Sequence, residues 1–181
     1  INVVIEGHVR LGHGVRVDQN VVLRDVVIGD HCHIRANSVL ESSTLHAHVT
    51  VGPFAYIRPG SELDQHSKVG SFVELKKTKL GQHSKASHFS YLGDCDIGQS
   101  VNIGAGFISC NYDGTHKHLT TIGDDCFIGA GSQLVAPITI EQGVMVGAGT
   151  CLRGNVTTRT LVVDRGSVEH IKEWPKLSQW L

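Results

Sequence analysis

Aromatic side chains are scarce: they make up 6% of the 181 residues, whereas glycine alone supplies 21. An ordinary globular core leans on Phe, Tyr and Trp, so this core must be assembled mainly from aliphatic side chains. Net charge is lacking as well, at −1 with histidine neutral, which removes any general electrostatic argument for nucleic acid or membrane surfaces as partners. No apolar run approaches the roughly 20 residues that span a bilayer, and no charged-then-apolar leader is visible. The five cysteines (Cys32, Cys95, Cys110, Cys126, Cys151) are odd in number and form no CxxC pair. They fit a reducing, cytoplasmic compartment, each as a small apolar filler. The chain begins without Met and already inside a repeat, so a fragment without its N-terminal part is expected.

What the chain does have is a period of about six. From Ile5 an aliphatic residue returns at Leu11, Val17, Leu23, Ile28, Ile34, Leu40, Leu45, Val51, Ile57, Leu63, Val69, Leu75 and Leu80. After Ala86 the series resumes at Leu92, Ile97 and Ile103, passes Ser109, and continues at Ile122, Ile128, Leu134, Ile140, Val146 and Leu152. Four positions after many of these stands a smaller side chain, such as Ser38, Ser61, Ser84, Val101 or Ser132. A helix would repeat at three and four, and an ordinary strand would alternate for longer. A short strand plus a corner, with two inward positions, fits instead. Three such units close a triangular coil of about 18 residues, and stacked coils pair their strands in parallel at about 4.8 Å. The expected fold is therefore all-β, a single-stranded parallel β-helix over residues 1–156, with an external loop near 113–121. The tail, 157–181, carries Ile171, Trp174, Leu177 and Trp180 at near-helical spacing and reads as a cap over the open end.

Once the phase is known, residues one coil apart can be stacked. One column reads His88, Ala105, Ala130, Ala148, the last three within Gly104-Ala105-Gly106, Gly129-Ala130-Gly131 and Gly147-Ala148-Gly149. Such a line leaves bare backbone N–H and C=O groups along a smooth track, suited either to a long thin ligand or to close packing of subunits. A second column places Arg58 beneath Lys76. Like charges on neighbouring strands repel, so a shared anion such as phosphate would explain the pair, as would simple solvation. Tyr91 falls at the corner between the two columns.

The runs Arg58-Pro59-Gly60, Val73-Glu74-Leu75-Lys76-Lys77, Lys85-Ala86-Ser87-His88-Phe89-Ser90-Tyr91-Leu92-Gly93-Asp94, Val101-Asn102-Ile103-Gly104-Ala105-Gly106 and Cys110-Asn111-Tyr112-Asp113-Gly114 carry a specific resemblance. Over essentially its whole length the chain resembles the C-terminal half of the bacterial bifunctional enzyme that makes UDP-N-acetylglucosamine. That enzyme joins a glucosamine-1-phosphate acetyltransferase to an N-acetylglucosamine-1-phosphate uridyltransferase. The resemblance implies a left-handed coil, against the usual right-handed crossover rule, and a trimer whose sites are shared between subunits. It implies His88 as general base. Arg58, Lys76 and Tyr91, with Lys117 from the loop, would hold the sugar phosphate; Glu74, Asn102 and Asn111 would orient the sugar. Ala105 would offer its N–H to the acetyl carbonyl, and Asn111, Tyr112, Ala130, Ala148 and Arg165 would line the acetyl-CoA site. The family usually has Ser where Ala130 stands, so a side-chain hydrogen bond is lost there. The co-substrate is acetyl-CoA, no cofactor is held tightly, and Mg²⁺ serves only the uridyltransferase half, which would precede residue 1. The product would enter UDP-N-acetylglucosamine, peptidoglycan and lipopolysaccharide synthesis.

Four other readings compete. A relative acting on another amino sugar would share every feature above. A covalent route would run through Cys110. A metal-dependent carbonic anhydrase on this fold would need three histidine ligands, and His48, His83 and His88 are the candidates. A non-catalytic scaffold or sugar-nucleotide sensor would use the same columns without turnover.

Overall fold

The computed structural model describes residues 2–164 and 166. Arg165 and the residues at 167–181, with the expected helical cap, lie outside the described residues. Within them the chain forms short strands and no helix. The strands make three parallel sheets of nine, eight and nine members, and chain order steps from sheet to sheet at every strand. The result is a left-handed triangular prism. We call the sheets the first face (Val4–Glu6 through Cys151–Arg153), the second (Arg10–Leu11 through Ile138–Ile140) and the third (Arg16–Val17 through Leu161–Val162).

The aliphatic repeat sets the register. Ile57 pairs with Leu75 and Leu75 with Leu92 on the first face; Ala86 pairs with Ile103, Ile103 with Ile128 and Ile128 with Val146 on the third. Nearly all these side chains are fully buried and form one continuous core, in which Phe107 is the largest member. The small four-positions-on residues face inward too. Ser84 is typical: its hydroxyl donates to the Gly98 carbonyl at 2.6 Å and accepts from the Val101 N–H at 2.8 Å, tying adjacent coils.

Most corners turn through one residue in the left-handed region, which costs an ordinary L-residue energy and tolerates Gly, Asn and Asp best. The corner between the second and third faces nonetheless uses His31, His48, His66 and His83, with φ between 56° and 62°. Their rings stack at centroid distances of 5.1, 4.7 and 4.9 Å. The corner between the third and first faces uses Phe54, Phe72 and Phe89, also stacked, and then Gly106, Gly131 and Gly149.

Two boundaries differ from expectation. Pairing does not stop at residue 156. Val156 is buried and bridges Ile140, and Leu161–Val162 pairs with Met145–Val146. The inward series runs Leu152, Val156, Val162, and its four-residue step hides the phase. The inserted loop also ends earlier, because the strand Thr120–Ile122 resumes the second face. Asp113 organises that loop: its carboxylate accepts from the backbone N–H of Thr115 and of His116, at 2.7 and 2.6 Å, and meets the His118 ring at 2.7 Å.

Two predictions follow from this packing. Leu75→Ala removes a fully buried side chain between two coils and should lower stability by about 2–5 kcal/mol, read as a fall in the denaturant midpoint. The hydrogen bonds from His116, His118 and Thr115 hold the Asp113 carboxyl below its ordinary value of 3.8. Its ordering of the loop is thus fully present above that value and is lost as pH falls below it. Amide exchange at Thr115 and His116 should stay slow from pH 8 to pH 5 and quicken in Asp113→Asn at every pH.

Candidate active site

His88 ends the strand Lys85–His88. Phe89 then takes a φ of 45°, so the chain turns and leaves the imidazole exposed at the corner between the third and first faces. The pairing of Ala86 with Ile103 puts Ala105 one coil on in the same column, at one strand spacing, about 4.8 Å. Ala130 and Ala148 continue the line.

The glycines flanking this column have structural reasons of their own. A Cβ on Gly104 would stand 2.5 Å from the Ala130 nitrogen, and one on Gly129 2.5 Å from the Ala148 nitrogen, so these two are required by coil-to-coil contact. Gly106, Gly131 and Gly149 sit at φ of 76°, 70° and 74°. The track is also only half as free as expected. The Ala105 and Ala130 carbonyls accept from Gly131 and Gly149, at 2.7 and 2.8 Å. What remains is a row of donors. Gly104 N–H donates to the Ile128 carbonyl and Gly106 N–H to that of Phe89, while the Ala105 N–H between them has no partner among the described residues.

The first face carries the polar set. Arg58 and Lys76 are neighbours one coil apart, but each has its own carboxylate. Arg58 Nη1 donates to Glu74 Oε1 at 2.7 Å, and Lys76 Nζ to Asp94 Oδ2 at 3.3 Å. Their repulsion is therefore relieved within the chain, and a shared anion is not needed to explain the stack. Nor do the cations stand beside His88. They follow the inward residues Ile57 and Leu75 at the far edge of the first face, and Lys76 pairs with Gly93, five residues beyond His88. The chain turns at Phe89, and the four residues from that corner to Gly93 span roughly 13 Å by strand rise.

Tyr91 leans along its strand across Gly93. A Cβ on Gly93 would collide with the Tyr91 hydroxyl and stand 2.8 Å from Asn111 Nδ2. Asn111 is buried and donates from Nδ2 to Asp94 Oδ2. A shallow cavity of about 350 Å³ opens between this edge and the corner, lined by Phe72, Glu74, Phe89, Ser90, Tyr91 and Ile108. In the loop the Tyr112 hydroxyl donates to the Gly114 carbonyl at 2.6 Å, and Lys117 Nζ lies 4.8 Å from the centre of the Tyr112 ring.

The expected residues are thus grouped but not gathered. His88, Ala105, Ala130 and Ala148 share a corner; Glu74, Arg58, Lys76, Tyr91 and Asn111 share the first face and its far edge; Asn102 stands apart on the third face, in register with Lys85 and Phe127. Arg165 is outside the described residues. Asp94 and Gly93 lie against Lys76, Asn111 and Tyr91, and the resemblance implies no role for them. The signal available was the charge alternation across coils, with Lys76 in register one residue before an aspartate.

Two of the competing readings rest on residues outside this group. His48 and His83 stand in the histidine ladder, at a different corner from His88. Among the described residues no three His, Cys, Asp or Glu side chains converge as a metal-holding group. Burial pushes the Cys110 thiol above its ordinary value, which reduces the thiolate a covalent route would use.

Comparison with known proteins fits this geometry. The family described as bacterial transferase hexapeptide (six repeats) matches residues 8–42 and 119–154. The bifunctional protein GlmU of Blochmanniella pennsylvanica (strain BPEN) is 50% identical over 177 residues, which is 98% of this chain and 38% of that relative. A UDP-N-acetylglucosamine acyltransferase from Campylobacter jejuni has the same fold, with a TM-score of 0.78 at 16% identity, over 97% of this chain and 77% of that one. LpxA, a UDP-N-acetylglucosamine acyltransferase from Bacteroides fragilis 9343, gives 0.77 at 18% identity, over 88% and 69%. The chain is a hexapeptide-repeat β-helix homologous to the C-terminal part of the bifunctional protein GlmU.

Proposed function

We propose that the chain transfers the acetyl group of acetyl-CoA to the amine of glucosamine-1-phosphate, giving N-acetylglucosamine-1-phosphate and free CoA in the cytoplasm. The product would feed UDP-N-acetylglucosamine and, through it, peptidoglycan and lipopolysaccharide synthesis. The observation that carries this reading is a backbone N–H at Ala105 with no partner among the described residues, one strand spacing from an exposed imidazole at His88. It is joined by the GlmU homology over nearly the whole chain.

The acceptor amine is largely protonated near neutral pH and must shed a proton to attack. An imidazole of pKa about 6.5 suits that task. The amine nitrogen bonds to the thioester carbon while His88 takes its proton. The carbonyl oxygen gains charge, and the Ala105 N–H donates to it, an effect of about 2.7–4 kcal/mol per donor in other enzymes. Collapse breaks the C–S bond, and the proton held by His88 passes to the departing sulfur, giving free thiol. The N–H groups of Ala105, Ala130 and Ala148 suit the carbonyls of a pantetheine laid along the corner. Arg58, Lys76 and Tyr91 suit a phosphate, and Glu74 and Asn102 the sugar hydroxyls. Arg165, Asn111, Tyr112 and Lys117 complete the set.

A homotrimer suits the same geometry. Amine and phosphate sit on adjacent carbons of glucosamine-1-phosphate, closer together than the roughly 13 Å between corner and cations in one chain. A neighbouring chain's corner set against this face closes the gap. Mg²⁺ has no part in this half-reaction; it belongs to uridyl transfer, the activity proposed for the remainder of the GlmU-like protein.

Release of free thiol from acetyl-CoA, run against a panel of amino sugars, tests the proposal. Thiol should appear with glucosamine-1-phosphate and much less with glucosamine. His88→Ala should lower turnover by about 10²–10⁴-fold and leave acetyl-CoA binding within about twofold. Equal loss of binding and turnover would remove the base assignment, and thiol release that ignores the sugar phosphate would remove the reaction.

A further inference from the structure

Asp94 is a largely buried carboxylate to which the chemistry above gives no part. It occupies the corner between the first and second faces with a φ of 51°, a conformation aspartate tolerates better than most residues. Its backbone is fixed on both sides: its N–H donates to the Lys76 carbonyl at 2.8 Å and its carbonyl accepts from Thr120 N–H at 3.0 Å. The side chain is therefore held in place before any contact it makes. One oxygen, Oδ2, then takes two donors, Asn111 Nδ2 and Lys76 Nζ. The Lys76 and Asp94 side chains are only 16% and 17% exposed, so water screens this pair weakly.

An asparagine amide has a donor end and an acceptor end. With Nδ2 committed to Asp94, the Oδ1 of Asn111 is turned the other way, and it has no partner among the described residues. Lys76 likewise spends one N–H on Asp94 and keeps two. A single carboxylate thus fixes an acceptor and a cation side by side, next to the Tyr91 hydroxyl over Gly93.

We propose that Asp94 is a positioning residue, which locks the Asn111 amide with its oxygen toward the acceptor substrate and holds Lys76 at the phosphate. This rests on the reading of Lys76 and Asn111 as substrate contacts. It carries a signature that a residue serving only stability lacks. Arg58 and Lys76 are balanced by Glu74 and Asp94, so Asp94 works against an arriving dianion while it orients its neighbours. Removing its charge relieves repulsion of the phosphate but frees the amide to turn, so catalysis and binding separate.

The test is Asp94→Asn, which keeps shape and removes charge. Its kcat should fall about 10–100-fold, the scale of a misplaced contact, while KM for glucosamine-1-phosphate stays within threefold or drops and the melting temperature is unchanged. Asn111→Ala and the double variant complete a cycle. The double should lose less than the product of the two single losses, because part of what Asp94 does passes through that amide. Unchanged kcat, a KM rise with kcat intact, or losses that multiply would each overturn the assignment. The side-chain amide signal of Asn111 decides the matter independently of activity. In the wild-type chain it should exchange slowly with solvent, and in Asp94→Asn quickly; fast exchange in the wild type sinks the proposal. Should the wild type release no thiol, the acetyl-transfer reading fails, and this signal still reports on Asp94.

Discussion

Parallel pairing of one coil on the next, with a left-handed residue at most corners, is the constraint on which everything else in this molecule depends. It converts separation along the chain into adjacency. His88 and Ala105 meet only because Ala86 and Ile103 pair, and Asp94 reaches Lys76 only because Gly93 lies opposite it. A one-residue slip would turn every inward aliphatic side chain outward. The core and the site therefore share one register, and a slip would misplace both.

The site is built from spent and unspent hydrogen bonds. The carbonyls of Ala105 and Ala130 are consumed in joining coils, while the N–H groups of Ala105, Ala130 and Ala148 have no partner among the described residues. At the far edge of the first face the cations arrive already paired with Glu74 and Asp94. An anion binding there competes with carboxylates of the same chain. This favours a ligand that brings further contacts with it, a sugar phosphate above a bare phosphate.

Much of this was legible in the sequence. The inward positions, the register and the column from His88 to Ala148 followed from a six-residue period alone, because a period fixes where backbone goes. The solenoid's last strand escaped, since the step from Leu152 to Val156 is short and the phase resumes only at Val162. The carboxylate partners of Arg58 and Lys76 escaped for a different reason. Register says which residues are neighbours, whereas side-chain direction decides that Arg58 takes Glu74 and Lys76 takes Asp94. In sequence the Gly-Ala-Gly triples suggest bareness toward a ligand or a neighbouring subunit, while Gly104 and Gly129 answer first to the backbone of the next coil. The corner is smooth as a consequence.

All of these threads meet at the Ala105 N–H. A crystal structure of the protein with acetyl-CoA and glucosamine-1-phosphate, or with a non-transferable thioether analogue, tests that meeting point most directly. The carbonyl oxygen of the acyl group should lie within hydrogen-bond distance of the Ala105 nitrogen, with the sugar amine against an imidazole of His88. An acyl group seated on another face of the prism, or at the corner but bonded elsewhere, would contradict the account.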